Sequence, residues 1–374
     1  MHLKLYHTNL AFEYPFTISK GTKTHQEALV IFFEKDGIIG YGEAPAIRYY
    51  NISVEKMMTD IKSVAHRFDG IDFSSSTNWW AFLKNLFPNN SFALCALDMA
   101  LHDWKAKSEK KKLFETFQKL PFLSFGENKS EVSEKEFLKN LEWKNIPPTD
   151  YTLGIDSIEI LQQKIQQHPF PIYKIKLGLG DEENILKAIR QNSSSKIRVD
   201  FNEGIDEKRF FELLPLLENA VLELIEQPLS KLDESGMKNI FAKTSIDLFA
   251  DEFCVGENDV EKCVGKFHGI NIKLTKCGGI TPALRMIEKA RQLNLKVMMG
   301  SMNESTIGTA AIAHFLPLLD KVDMDGILLL KEDVATGIIF DENVKCLIPK
   351  GFGLGVEIDR EKLNKFFVQE IDIN

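Results

Sequence analysis

Tyr173-Lys174-Ile175-Lys176-Leu177, an amphipathic stretch, then Ile197-Arg198-Val199-Asp200-Phe201: residues 173–201 set one helix-length segment between two short apolar runs. The same rhythm extends in both directions. Apolar runs recur about every 25 residues, at Tyr151–Ile155, Tyr173–Leu177, Ile197–Phe201, Val221–Ile225, Asp247–Ala250, Ile270–Leu274, Lys296–Met299 and Gly326–Leu330. Each is followed by a stretch of helical periodicity. Eight strands alternating with helices must run parallel, and this spacing predicts an α/β fold closed as a (β/α)-barrel. An open doubly wound sheet is the competing architecture, but no GxGxxG follows the first strand. The tail, Gly351–Asn374, follows a complete barrel and is expected to pack back on the amino-terminal region.

That region reads as mixed α+β. Strand-like Leu3–Ile18 and Ala28–Phe33 precede the turn Lys35-Asp36-Gly37 and a further strand, Ile38–Tyr41, which is a hairpin signal. Helical stretches follow near Ser53–Phe68, Asn78–Leu86 and Phe92–Lys107, the last with Leu94, Leu97, Leu101 and Trp104 at core-facing spacing. Ser108–Lys139, rich in lysine and glutamate, reads as a solvated boundary region. The expected division is a capping domain of residues 1–125, completed by about 345–374, and a barrel of residues 126–344.

Of the 374 residues, 44% are hydrophobic and 27% charged, enough to bury a large core. A net charge of −8 argues against a sequence-independent grip on nucleic acid, which needs a basic face. No apolar run reaches the ~18 residues of a membrane span. The amino terminus alternates like a strand and lacks the pattern of a secretory signal. Five cysteines without a CxxC pair suit reduced, buried thiols in a cytoplasm. Scattered histidines form no ligand spacing; His102 and His314 read as core or interface, and Trp79-Trp80 as packing.

A barrel strand should be apolar on both faces, yet charged residues stand at successive strand ends, where barrel enzymes carry their chemistry. Strand three ends in Asp200, strand four in Glu226 and strand five in Asp251. Each alone would pass as a helix cap or an ion pair. Three converging on one mouth would repel, and a hard divalent cation resolves that; an all-oxygen set suits magnesium. Lys174 and Lys176 share one face of strand two, and such crowding should lower the pKa of at least one of them. Lys273, on strand six, lies across the mouth. A molecule held between would have one lysine on each face of its α-carbon, the geometry of proton removal on one side and return on the other.

These residues resemble the enolase superfamily, specifically its muconate-lactonizing subgroup and the dipeptide epimerases within it. The resemblance spans nearly the whole chain, through PFTISKGTKT (15–24), GYGEAPA (40–46), KIKLG (174–178), VDFNEG (199–204), LIEQPL (224–229), FADEF (249–253), NIKLTKCGGI (271–280), GSMNES (300–305), DMDG (323–326) and PKGFGLGVEID (349–359). It implies a modified (β/α)7β TIM barrel under an α+β capping domain built from both termini. It further implies one Mg2+ per subunit on Asp200, Glu226 and Asp251, and an acid/base pair of Lys176 and Lys273. In this superfamily such lysines transfer the proton through a magnesium-stabilised enediolate. By the same resemblance Lys174 assists at the substrate carboxylate, Thr152 and Ser301 line the dipeptide site, and Asp323 and Asp325 clamp the substrate ammonium. Lys276, three residues beyond Lys273, is set aside as exposed.

The implied reaction is epimerisation of a dipeptide at the α-carbon of its carboxy-terminal residue, in turnover of cell-wall or dietary peptides. Relatives acting on L-Ala-Glu often carry an arginine in the loop after PF. Here that loop offers Lys20 and Lys23 as candidate specificity residues, either gripping an acidic side chain or merely solvated. The side-chain preference stays open. Rival readings are another reaction of the same scaffold, o-succinylbenzoate synthesis or muconate cycloisomerisation, and a non-catalytic barrel that binds a partner. Barrels of this kind commonly associate, which admits a homo-oligomer.

Overall fold

The computed structural model describes residues 1–119 and 143–373. β1 (His2–Ile18), β2 (Gly21–Lys35) and β3 (Ile38–Pro45) form an antiparallel sheet completed by the last strand, β14 (Phe367–Ile373), in the order β14-β1-β2-β3. The tail therefore does return to the amino-terminal sheet. Asp36 and Gly37 both take positive φ, 53° and 73°, as a two-residue hairpin turn requires. Helices α1 (Val54–Val64), α2 (Ser76–Leu86) and α3 (Ser91–Ser108) cover this sheet, each entered through a side-chain cap: Ser53, Ser75 and Asn90 accept from the N–H groups of Lys56, Asn78 and Ala93. β3 can lie against α3 because Gly40 and Gly42 have no Cβ; one there would stand 2.1 Å from Ala100 O and 1.9 Å from Ala96 O.

The barrel follows as β4 (Tyr151–Leu153), α4 (Ile158–Gln167), β5 (Ile172–Lys176), α5 (Glu182–Asn192), β6 (Lys196–Asp200), α6 (Glu207–Asn219), β7 (Leu222–Glu226), α7 (Glu234–Phe241), β8 (Leu248–Ala250) and β9 (Gly269–Ile272). It continues through α8 (Leu274–Cys277), α9 (Ile280–Gln292), β10 (Lys296–Gly300), α10 (Thr306–Ala313), β11 (Lys321–Asp323) and α11 (Gly326–Leu329). A short pair, β12 (Ala335–Thr336) and β13 (Glu357–Ile358), and α12 (Arg360–Phe366) lead back to β14. All eight barrel strands pair in parallel in chain order, but β4 and β11 share no ladder among the described residues. Side chains close that seam. Met324 N–H donates to Thr149 Oγ1 at 3.0 Å, and Arg198 Nη1 donates to Asp150 Oδ2 at 2.8 Å and Val322 O at 2.6 Å.

One apolar cluster fills the barrel and the shell of helices around it, and a second lies between the amino-terminal sheet and α1–α3. Side chains such as Phe33, Trp79, Phe201 and Phe249 are almost fully buried, each worth about 1.5–3 kcal/mol against exposure. All five cysteines are buried and free, and His102 and His314 are buried as expected. No helix among the described residues is long and apolar enough to cross a membrane.

Two expectations need correction. The eighth strand is Lys321–Asp323, not the Gly326–Leu330 run, most of which is α11. A five-residue apolar run has no period long enough to tell strand from helix, and pairing with β10, Gly300 against Asp323, decides it. Nor is the Lys/Glu-rich segment solvated throughout: Ser108, Glu109 and Lys110 are exposed, but Leu113, Phe114 and Phe117 are buried. Its remainder, with the expected boundary at residues 125–126, lies outside the described residues.

Candidate active site

Parallel register brings Lys176, Asp200 and Glu226 to one level. Lys176 pairs with Asp200 and Asp200 with Glu226 across β5, β6 and β7. Glu226 pairs with Phe249, so Asp251 stands two residues further along, just past the end of β8. Asp200 and Glu226 are closed to solvent and Asp251 nearly so. The side chains meet nonetheless, through ammonium groups. Lys174 Nζ lies 3.1 Å from Asp200, 2.8 Å from Glu226 and 2.7 Å from Asp323. Lys176 Nζ donates to Asp200 Oδ2 at 2.6 Å, and Lys273 Nζ to Asp251 Oδ2 at 3.0 Å. Asn271 Nδ2 donates to the other Glu226 oxygen at 2.8 Å.

The carboxylates outweigh the lysines. Burial would push Lys174 down, but Asp323, Glu226 and Asp200 hold it well above the ordinary lysine range; Asp251 and Glu226 do the same for Lys273 against its own burial. The expected lowering through crowding of Lys174 and Lys176 does not occur at Lys174, because three carboxylates lie within 3.1 Å of its ammonium. Even so, burial and the neighbouring Asp200 push Glu226 upward. Three buried carboxylates from adjacent strands are the all-oxygen donor chemistry a hard divalent cation requires, so these residues fit magnesium.

Lys273 directly follows β9 and enters α8 in an extended conformation (φ −120°, ψ 123°). It therefore sits well around the ring from β5, with β6, β7 and β8 between. A cavity of about 860 Å³ separates the two sides, lined by Thr152, Lys174, Lys176, Lys273, Ser301, Asp323 and Asp325 from the barrel and by Lys20 and Lys23 from the β1–β2 hairpin. Thr152 N–H donates to Asp325 Oδ2 at 2.5 Å, and Ser301 N–H to Asp323 O at 2.7 Å. The site residues singled out in the sequence thus line one cavity, except Asp200, Glu226 and Asp251, which adjoin it through Lys174, Lys176 and Lys273.

Lys276 departs from expectation. It is 3% exposed, and its Nζ donates to Asp251 O at 2.5 Å as well as to Asp251 Oδ1. The one-turn helix α8 points it inward, not outward. The hairpin lysines also differ from a merely solvated pair. Lys20 Nζ is engaged by Glu203 at 3.2 Å and Glu252 at 3.4 Å. Lys23 donates only to neutral oxygens, Gln26 Oε1 at 3.3 Å and Ala46 O at 3.4 Å, and is pushed down to about 8 by burial and by Arg48. Sequence reasoning missed Asp150 and Arg198. Arg198 shares a strand face with Asp200 by the two-residue repeat, and an arginine inside a barrel strand was the available signal.

Two domain families match the chain: the mandelate racemase / muconate lactonizing enzyme N-terminal domain over residues 1–116 and the enolase C-terminal domain-like region over 157–362. This chain belongs to the mandelate racemase / muconate lactonizing enzyme family. Within that enolase-superfamily family it stands among the dipeptide epimerases, which are isomerases. It is 39% identical to an L-Ala-D/L-amino acid epimerase of Flavobacterium johnsoniae, over 92% of this chain and 96% of the relative. A second L-Ala-D/L-amino acid epimerase, from a Maribacter species, is 37% identical over 96% of this chain and 100% of its own length. The dipeptide epimerase of Cytophaga hutchinsonii, solved with Mg and D-Ala-L-Val, superimposes with a TM-score of 0.87 at 26% identity, covering 100% of this chain and 99% of that one.

Proposed function

We propose that this family member epimerises a dipeptide at the α-carbon of its carboxy-terminal residue, with Lys176 and Lys273 as the two proton-transferring groups. The observation that carries this is the placement of those two lysines on opposite sides of one cavity, with the Asp323–Asp325 clamp opening into the same space. Asp200, Glu226 and Asp251 are the groups that would hold Mg2+, one ion per subunit. When bound, the ion supplies positive charge where negative charge builds up on the substrate carboxylate. Lys174, within 3.1 Å of Asp200, Glu226 and Asp323, would orient that carboxylate. Asp323 and Asp325 receive the ammonium and so fix which residue's Cα–H faces the lysines; Thr152 and Ser301 line the channel between. A lysine that has given up its proton takes the α-proton from one face, and the opposite ammonium returns one to the other.

The clamp favours this reading over cycloisomerisation or o-succinylbenzoate synthesis, neither of which presents an ammonium. Of the two hairpin lysines, Lys23 is the one left to meet an acidic substrate side chain, because Lys20 is already held by two glutamates.

Protein with Mg2+ in deuterated water, given a small library of dipeptides, is expected to exchange the α-proton of the carboxy-terminal residue and to lose that activity on chelation. Proton NMR reads both. Failure with every dipeptide sinks the proposal, and Asp323→Asn should weaken dipeptide turnover while leaving Mg2+ binding intact.

A further inference from the structure

Behind the clamp lies a third acid whose one task so far is at the barrel seam. Asp150, just before β4, is fully buried, and Asp150, Asp323 and Asp325 each bring a carboxylate oxygen within 4.8 Å of the others. The cations touching this group are already shared. Lys174 also serves Asp200 and Glu226. Arg198, which donates to Asp150 Oδ2, also donates to Glu223 at 2.6 Å. Asp150 Oδ1 is buried with no hydrogen-bond partner. Burial and the neighbouring Asp323 push Asp325 up to about 7, and the same two causes push Asp150 well up. Two shared cations thus face three acids, and the group opens to the cavity only through Asp323 and Asp325.

We propose that Asp150 is a positioning residue: anchored by Arg198 behind Asp323 and Asp325, it makes the clamp select a primary ammonium over a neutral or acylated nitrogen. This rests on the dipeptide reading above. An ammonium offers three donors and a full positive charge, whereas an acylated nitrogen offers one N–H and no charge. With Arg198 on one oxygen, Asp150 becomes a third anion behind the two contacting ones when an ammonium enters, which deepens the well for the first far more than for the second. A purely structural role would have Asp150 only brace the open seam with Arg198, as Thr149 does through Met324 N–H.

The test compares wild type with Asp150→Asn in the full chain with Mg2+, on a dipeptide the wild type turns over and on its N-acetyl counterpart as competitor. Expected for the variant is a KM for the free-amine dipeptide roughly tenfold higher, kcat within about twofold, and unchanged inhibition by the N-acetyl compound and Mg2+ affinity. Asp150→Ser, still an acceptor for Arg198, gives the same reading if the amide variant fails to fold. Thr149→Val, which loosens the seam without altering charge, should lower the melting temperature and leave KM in place. An unchanged KM in both Asp150 variants overturns the inference, as does equal weakening of both compounds or a KM rise in Thr149→Val. A wild type inactive on every dipeptide overturns instead the reading beneath it, and this inference with it.

Discussion

Buried carboxylates occur in two parts of this molecule and are answered differently in each. Where the amino-terminal sheet and its helices meet the barrel, Glu43 accepts from Ser305 N–H at 2.9 Å, Ser305 Oγ at 2.7 Å and Gly308 N–H at 2.8 Å. Asp98 likewise accepts from Trp79 Nε1, Thr281 N–H and Thr281 Oγ1, each at 2.9 Å. Those donors are neutral, and half of them are backbone N–H groups. At the barrel mouth, Asp200, Glu226, Asp251 and Asp323 are met by lysine ammonium groups on flexible stems, and Asp150 Oδ1 and Glu252 Oε2 have no donor at all. A fixed dipole holds two domains together and cannot leave. An ammonium can exchange one anion for another, which a reaction site requires.

The largest effect should follow from removing the exchangeable cations. Lys176→Ala or Lys273→Ala is expected to cut epimerisation about 10³-fold, each keeping α-proton exchange from one stereoisomer only, as seen by NMR in deuterated water. Both variants should melt close to wild type. Equal wild-type rates in the two would end the two-sided arrangement.

A smaller effect, of the opposite kind, is expected at the junction. Glu43→Ala leaves the N–H groups of Ser305 and Gly308 unanswered, at about 1–3 kcal/mol for each buried donor. Denaturant unfolding should record that loss while Mg2+ affinity stays unchanged. A Glu43→Ala protein as stable as wild type would erase the distinction between the two regions.

The smallest effect is a pH slope. Burial pushes Glu43 up to about 8 and Glu304 up to about 7, from an ordinary 4.5. The folded chain then holds protons that the unfolded chain has released, so stability falls as pH rises from about 4.5 through 8. Melting temperature should decline by a few degrees from pH 6 to 9, and Glu43→Gln should flatten that decline. A melting temperature that rises over this range would reverse the assignment.

Much of the mouth was legible because strand chemistry is local. A charged residue at the end of an apolar run, repeated at the period of a βα unit, is too regular for a scatter of caps and surface ion pairs. Asp200, Glu226, Lys174 and Lys176 follow from that alone. Lys276 and the eighth strand did not follow. Whether a residue just past a strand faces in or out depends on the first turn of the next helix, and a three-residue strand such as Lys321–Asp323 exists only through its neighbour. Asp150 and Arg198 lay in plain view, but their pairing joins the first, third and eighth strands, and no spacing along the chain encodes it.

The alternation of strands and helices through the seventh barrel strand, the parallel barrel and the acids and lysines at its strand ends were determined by the sequence itself, through periodicity and the cost of burying charge. Tertiary structure alone decided which ammonium meets which carboxylate and that the barrel's seam is closed by side chains. It also decided that Lys20 is held by two glutamates while Lys23 meets only neutral oxygens. Those outcomes depend on distances between residues far apart in the chain, and electrostatic energy is set by distance in space.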